Sequence, residues 1–273
     1  MAFGIRKVFF DCDGTLVESE VLAMKVAIDI IADAVENAQP NTVIDCAYYV
    51  QEYAGWHFDE MMKSFEEIHG VSFDRAALSA DKTLQTLEAL KAVGPVEHMH
   101  ECLEILSTNY GLALVTSSEL DRVNLCVTQA GMDSYFPPAH KYSAHDSLPA
   151  PKHKPEPDVY LLAKNNEGIT SDSEAVAIED SKSGVLSARA AGLLVVGFVA
   201  GTHIPLTDKP TTARNLIAHG ASIALSDARD IPAAVRCLDG EPLPDKWHGA
   251  VWLPETSVMQ DVNAVPTTGP LRP

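Results

Sequence analysis

The chain has 273 residues, 46% of them hydrophobic, and a formal net charge of −18. That length admits one large or two modest domains with a sizeable core. The charge repels nucleic acid and anionic membranes, and it makes an anionic substrate costly to hold unless a metal ion or focused positive charge offsets it. The longest apolar run, Ala190 to Gly201, is twelve residues, short of the roughly 20 that cross a bilayer. Arg6 and Lys7 precede only three apolar residues before Asp11, which is not a signal-peptide layout. Five scattered cysteines without a C-x-x-C pair argue for reduced thiols and a cytoplasmic protein.

Taken in chain order, Val8-Phe9-Phe10 is apolar, aromatic and β-branched and predicts a buried strand. It runs into Asp11-Cys12-Asp13-Gly14-Thr15-Leu16, where Gly14 lets the chain turn away. From Glu20 to about Ala38, Met24, Ile28, Ile31 and Val35 recur at helical spacing with Lys25, Asp29, Asp33 and Glu36 between them, and Pro40-Asn41 breaks the pattern. Further helices are predicted over 42–53, ended by Gly55, over 59–69, with Gly70 as a C-cap signal, and over 74–93, ended by Gly94-Pro95. Nothing between 20 and 94 reads as a strand, so 19–95 is predicted to be an all-helical subdomain inserted after the first strand.

The pattern then changes. Residues 96–108 read as a helix and Leu112-Ala113-Leu114-Val115 as a buried strand ending at Thr116-Ser117-Ser118. A helix follows with Leu120, Val123, Val127 and Ala130 on one face, opened by a capping box of Ser118 and Asp121. The stretch 137–156 is rich in Pro, His, Ser and Lys and reads as loop. Asp158–Asn166 returns to helix, Val176-Ala177-Ile178 is a short strand ending at Glu179-Asp180, and Ser181–Gly192 is helical. Leu194–Val199 is a strand, and 211–219, 221–225 and 232–238 form a last helix, strand and helix. This alternation implies βαβ units and a Rossmann-like parallel sheet, an α/β core made of 1–18 and 96–240. Residues 241–273 are Pro-rich and aperiodic, and are predicted to be a docked or disordered tail.

Ligands in such sheets bind beyond the carboxyl ends of the strands. Asp11/Asp13, Thr116-Ser117 and Glu179/Asp180 all stand at predicted strand ends, and Lys154, in Lys154-Pro155-Glu156-Pro157-Asp158, stands just before a helix. The chemistry these groups suggest is phosphoryl transfer. One carboxylate can attack phosphorus. A second can serve as acid for the leaving oxygen and then as base for water. Oxygen ligands without His or Cys partners favour Mg²⁺ over zinc. Hydroxyl and amide donors at 116–117, with an ammonium, can hold the equatorial oxygens.

These residues also carry a family resemblance. Phe10–Leu16, Val115–Ser118, Lys154–Tyr160, and Ile178–Gly184 with Ala188–Gly192 resemble, in order, the four motifs of the haloacid dehalogenase superfamily in its β-phosphoglucomutase-like branch, over about residues 5–238. Thr116 departs slightly, since Ser or Ala is commoner there. The resemblance implies Asp11 as nucleophile and Asp13 as acid/base. It implies Mg²⁺ held by Asp11, the Asp13 carbonyl and Asp180, with Glu179 assisting directly or through water. Thr116, the Ser117 amide and Lys154 would grip the phosphoryl group, and 19–95 would be a cap that closes over the substrate.

Each reading has a plainer rival. Lys152 competes with Lys154, but the Pro-x-Pro-Asp frame favours Lys154. Ser181 and Ser183 read as helix caps, Cys12 as packing, and the histidines as ordinary exposed residues. In the helical insert, Trp56, His57 and Phe58 are candidates to line the substrate pocket, or else to pack the insert's interior. In the mutases of the resembled branch an arginine that holds a second phosphate stands where Phe58 aligns, so the absence of arginine between Arg6 and Arg75 argues against a bisphosphate intermediate. The expected function is therefore a monomeric, Mg²⁺-dependent phosphatase for a small phosphorylated metabolite, a sugar or polyol phosphate. A phosphohexomutase, a C–Cl hydrolase and a catalytically silent binding module on the same fold are the alternatives.

Overall fold

The computed structural model of the chain describes residues 4–53 and 56–254, so Gly55 and the tail beyond 254 lie outside the described residues. Strand β1 (Lys7–Phe10) is followed by helices α1 (Ser19–Ala38), α2 (Cys46–Glu52), α3 (Phe58–His69) and α4 (Arg75–Ala89). Then come α5 (Met99–Ser107), β2 (Gly111–Thr116), α6 (Leu120–Gln129), β3 (Lys141–Ser143), α7 (Asp158–Asn166) and β4 (Ala175–Glu179). The chain continues through α8 (Lys182–Ala190), β5 (Leu194–Phe198), α9 (Lys209–Ala218), β6 (Ile223–Leu225), α10 (Ile231–Leu238) and β7 (Val251–Trp252).

The strands form one seven-stranded sheet in the order β3-β2-β1-β4-β5-β6-β7, parallel except for the antiparallel pair β6–β7. The fully apolar sequence of β1 follows from its central place, with both faces covered. Val8 and Phe10 face one core layer together with Leu114 and Ile178, under α5, α6 and α10. Phe9 faces the other with Ala113, Val115 and Ala177, under α7, α8 and α9. Helices α1–α3 bury a third cluster of their own around Ile28, Ile31, Met62 and Phe65.

Two connections join this helical segment to the sheet, and they run side by side. The Glu18 amide donates to the Gly94 carbonyl (3.0 Å) and the Val96 amide to the Leu16 carbonyl (3.0 Å). Val17 bridges to both Asp13 and Pro95.

Two strands depart from the sequence reading. The stretch 137–156 contains the edge strand β3, paired with β2 through Leu114↔Lys141 to Thr116↔Ser143. The segment after 240 contains β7, docked by Asp230, whose buried carboxylate accepts the amides of His248 and Gly249, each at 2.8 Å. The Ser118–Asp121 capping box does not form. Glu119 is the N-cap residue of α6, the Leu120 amide donates to Asp146 (2.6 Å), and the Ser118 hydroxyl is turned toward Asp13. No described helix is long and apolar enough to cross a membrane.

Candidate active site

The parallel register places the carboxyl ends of β1, β2, β4 and β5 on one edge of the sheet. There Asp11, Asp13, Thr116, Ser117, Lys154 and Asp180 line a cavity of about 550 Å³, with Ser181, Ser183 and His203 on its walls. Asp11, Glu179 and Asp180 are buried, at 7%, 0% and 8% exposure, and each offers a carboxylate oxygen within 4.8 Å of the others. Residues 168 or more apart in sequence thus meet because β1 and β4 are neighbours, with Phe10 opposite Ile178.

Lys154 is the only ammonium seen among the described groups bonded to this cluster. Its Nζ donates to Asp11 Oδ1 (2.6 Å), Glu179 Oε1 (2.7 Å) and the Val115 carbonyl (2.8 Å), which uses all three donors of the group. It also lies 5.1 Å from the centroid of the Tyr160 ring, whose hydroxyl donates to Glu179 Oε1. Burial alone would lower the pKa of Lys154, but the carboxylates of Asp11 and Glu179 outweigh it and push the value up. Burial raises Asp11 well above the ordinary carboxylate range, against Lys154 and with Glu179 and Asp180 adding to it. Burial likewise raises Glu179. Lys152, the rival lysine, is spent on Asp158 (2.6 Å).

Asp13 is held differently. Ser19 and Arg122 donate to its Oδ1 (2.5 and 2.7 Å) and Ser118 to its Oδ2 (2.6 Å). Gly14 makes the turn at φ 76°, and a Cβ there would stand 2.3 Å from Asp180 Oδ2 and 2.7 Å from His203 Cε1. The start of α8 closes in similarly, since a Cβ on Gly184 would stand 1.7 Å from Glu179 Oε2. Ser181 caps α8 by accepting the Gly184 amide (3.0 Å).

The cluster suits a hard divalent cation. Three acidic side chains meet a single ammonium, His203 Nε2 stands 3.1 Å from Asp180 Oδ2, and Glu179 Oε2 is buried with no hydrogen-bond partner. All the side-chain donors are oxygens, the set that Mg²⁺ takes.

Trp56, His57 and Phe58 are not brought to this cavity. Trp56 is exposed and stands edge-on to Tyr53, 4.8 Å between centroids. His57 is exposed at the start of α3. Phe58 packs on the α1–α3 cluster with its ring 5.2 Å from Lys82 Nζ. Sequence reasoning missed Ser19, Ser118 and Arg122 around Asp13, Tyr160 behind Glu179, and His203, whose Nε2 is 3.1 Å from Asp180 Oδ2. Only His203 carried a signal: Ala200-Gly201-Thr202-His203 leaves β5 at the same sheet edge.

Comparison with known proteins agrees with this geometry. The haloacid dehalogenase-like hydrolase family profile matches residues 8–198. A 6-phosphogluconate phosphatase of Escherichia coli (strain K12) is 24% identical over 200 residues, covering 73% of this chain and 85% of that protein. A phosphoglycolate phosphatase of Haemophilus influenzae (strain 86-028NP) is 25% identical over 219 residues, covering 73% and 88%. A HAD family hydrolase from Deinococcus radiodurans R1, crystallised with bound phosphate and sodium, superposes with a TM-score of 0.70 at 26% identity, covering 86% of this chain and 96% of that one. With its sheet, its strand-end acids and a profile match over most of its length, the chain belongs to the haloacid dehalogenase-like hydrolase family.

Proposed function

We propose that the chain is a Mg²⁺-dependent phosphatase that hydrolyses a small phosphorylated metabolite, a sugar or polyol phosphate, through an aspartyl-phosphate. The observation that carries this reading is the convergence of Asp11, Asp180 and Lys154 at one strand-end cavity, with the buried Glu179 bonded to Lys154 behind them. The names of two curated relatives, both phosphatases, support it.

In this reading an Asp11 carboxylate oxygen attacks phosphorus as the ester P–O bond breaks, and Asp13 gives a proton to the departing alkoxide. Asp13 then takes a proton from water, whose oxygen attacks phosphorus and releases inorganic phosphate from Asp11. Lys154, bonded to Asp11 Oδ1, stands beside the oxygen that becomes phosphorylated. Thr116 and the Ser117 amide hold the equatorial oxygens. Asp11, the Asp13 carbonyl and Asp180 would hold Mg²⁺, with Glu179 assisting; when bound, the ion neutralises charge on the cluster and on the transferring phosphoryl group. Glu179 orients Lys154, with Tyr160 fixing Glu179 from behind. Helices α1–α4, residues 19–95, act as the cap that excludes water.

The test is phosphate release from para-nitrophenyl phosphate, with and without Mg²⁺. Turnover should require the metal and vanish in Asp11→Asn. Undiminished turnover in that variant, or isomerisation of a hexose phosphate without phosphate release, would overturn the reading.

A further inference from the structure

Lys154 spends its three donors on Asp11, Glu179 and the Val115 carbonyl, so none is left for Asp180. The partner of the Asp180 side chain, among the described residues, is His203, whose Nε2 stands 3.1 Å from Oδ2. A carboxylate only accepts, so Nε2 carries the hydrogen there. Carboxylates that hold metals are themselves oriented by neighbouring donors, and for Asp180 that neighbour is this ring.

The loop that carries His203 is pinned on both sides of it. Before it, Lys209 Nζ donates to the Ala200 carbonyl (2.8 Å), and Glu18, on the linker to the helical segment, accepts the Thr202 amide (2.9 Å) and hydroxyl (2.6 Å). After it, Ile204 packs into the core layer under α7, α8 and α9, and its amide donates to the Gly201 carbonyl (3.2 Å). Two glycines clear the space for the ring. A Cβ on Gly201 would stand 2.6 Å from His203 Nδ1, and one on Gly14 would stand 2.7 Å from His203 Cε1. Nδ1 is buried with no partner. An apolar side chain would fill the same slot without burying an unmet nitrogen, so packing alone does not account for a histidine here. What the ring supplies in return is the nitrogen that faces Asp180.

We infer that His203 is a positioning residue of the metal site: it orients the Asp180 carboxylate so that Asp180 can serve as a ligand to Mg²⁺. The inference rests on the Mg²⁺ site of the reading above. His203 itself is not a ligand, in keeping with the preference of Mg²⁺ for oxygen donors. Its contribution is to metal affinity, while the phosphoryl grip belongs to Thr116, Ser117 and Lys154.

Calorimetric titration of Mg²⁺ into the metal-stripped chain, without substrate, tests it. His203→Leu should raise the Kd for Mg²⁺ by about tenfold to a hundredfold, the range for partners that orient a ligand. His203→Gln, whose amide nitrogen can stand where Nε2 stands, should stay within about threefold of wild type. With Mg²⁺ saturating, KM for para-nitrophenyl phosphate should be unchanged in both. A leucine variant that binds Mg²⁺ as wild type does, a glutamine variant as weak as leucine, or a raised KM with an unchanged Kd would overturn the inference. Thermal unfolding in EDTA checks that the variants fold. Should the leucine variant fail that check, Gly201→Ala decides: it keeps the histidine and forces the ring to move, at a position whose φ lies outside the left-handed range, and an unchanged Kd there overturns the assignment. Wild-type protein that binds Mg²⁺ but leaves para-nitrophenyl phosphate intact ends the phosphatase reading alone. Wild-type protein that binds no Mg²⁺ ends the assignment of His203.

Discussion

Replacing Lys154 by Met keeps an unbranched apolar side chain out to Cε and removes the ammonium. In the structure that ammonium donates to two buried carboxylates and a carbonyl, at 2.6, 2.7 and 2.8 Å, and its side chain is 4% exposed. Removing one partner of a buried ion pair costs roughly 3–5 kcal/mol. We expect about 3 kcal/mol, the low end, because Asp11, already pushed up by burial, can take a proton and shed its charge. The activity loss should be larger. A preorganised donor aimed at developing charge contributes about 10²–10³ in kcat, and a nucleophile left without its neighbouring cation loses more, so kcat/KM should fall by about a thousandfold or beyond. Steady-state phosphate release with Mg²⁺ measures the second quantity and denaturant unfolding the first. A Lys154→Met enzyme within tenfold of wild type, or one as stable as wild type, would refute the assignment of Lys154 to the charge balance of the site.

Two other perturbations probe the frame around the site. Gly14→Ala forces a Cβ into the 2.3 Å space beside Asp180 Oδ2 at φ 76°, which should lower kcat/KM by about a hundredfold and stability by about 1–2 kcal/mol; an alanine variant of normal activity would show that the turn does not position Asp180. Glu167 accepts Lys7 Nζ (2.5 Å), His140 Nδ1 (2.6 Å) and the Tyr142 hydroxyl (2.7 Å) under the sheet. Burial would raise its carboxyl, but these bonds outweigh it and hold the pKa below its ordinary 4.5. A depressed folded-state pKa adds stability above the unfolded value that is lost as the pH falls through the folded one. Glu167→Gln should therefore cost about 3 kcal/mol at neutral pH, with the gap in Tm narrowing below about pH 4.5; a gap that stays constant to lower pH would count against the pairing.

The parallel sheet and its acidic edge were legible because the signals are local. Val8-Phe9-Phe10 runs straight into Asp11, Ile178 straight into Glu179-Asp180, and a proline frame marks Lys154. What surrounds Asp13 was not legible. Ser118 and Arg122 lie 105 and 109 residues from it, and nothing in Ser118-Glu119-Leu120-Asp121 distinguishes a helix-capping serine from one turned onto a distant carboxylate. Strands β3 and β7 have three and two residues, too few for a period of two to show, and both rely on a neighbouring edge for their hydrogen bonds. The reading of Trp56, His57 and Phe58 as pocket residues came from the position of this loop in the resembled family, with packing inside the insert as the alternative. Phe58 is instead drawn into the α1–α3 cluster, where its apolar area is buried.

The residue that joins the first helix to this chemistry is Ser19. It is the first residue of α1 and donates to Asp13, while Val17 ties the same turn to the returning linker at Pro95. The proposed proton carrier is therefore tied to the linker between sheet and helical segment as well as to the sheet. If the helical segment moves as the proposed cap, Ser19 moves with it and Asp13 is released from one of its three side-chain donors. Asp13 would then lose a donor that favours its charged form, so that movement of the proposed cap and the protonation of Asp13 are coupled through one hydroxyl.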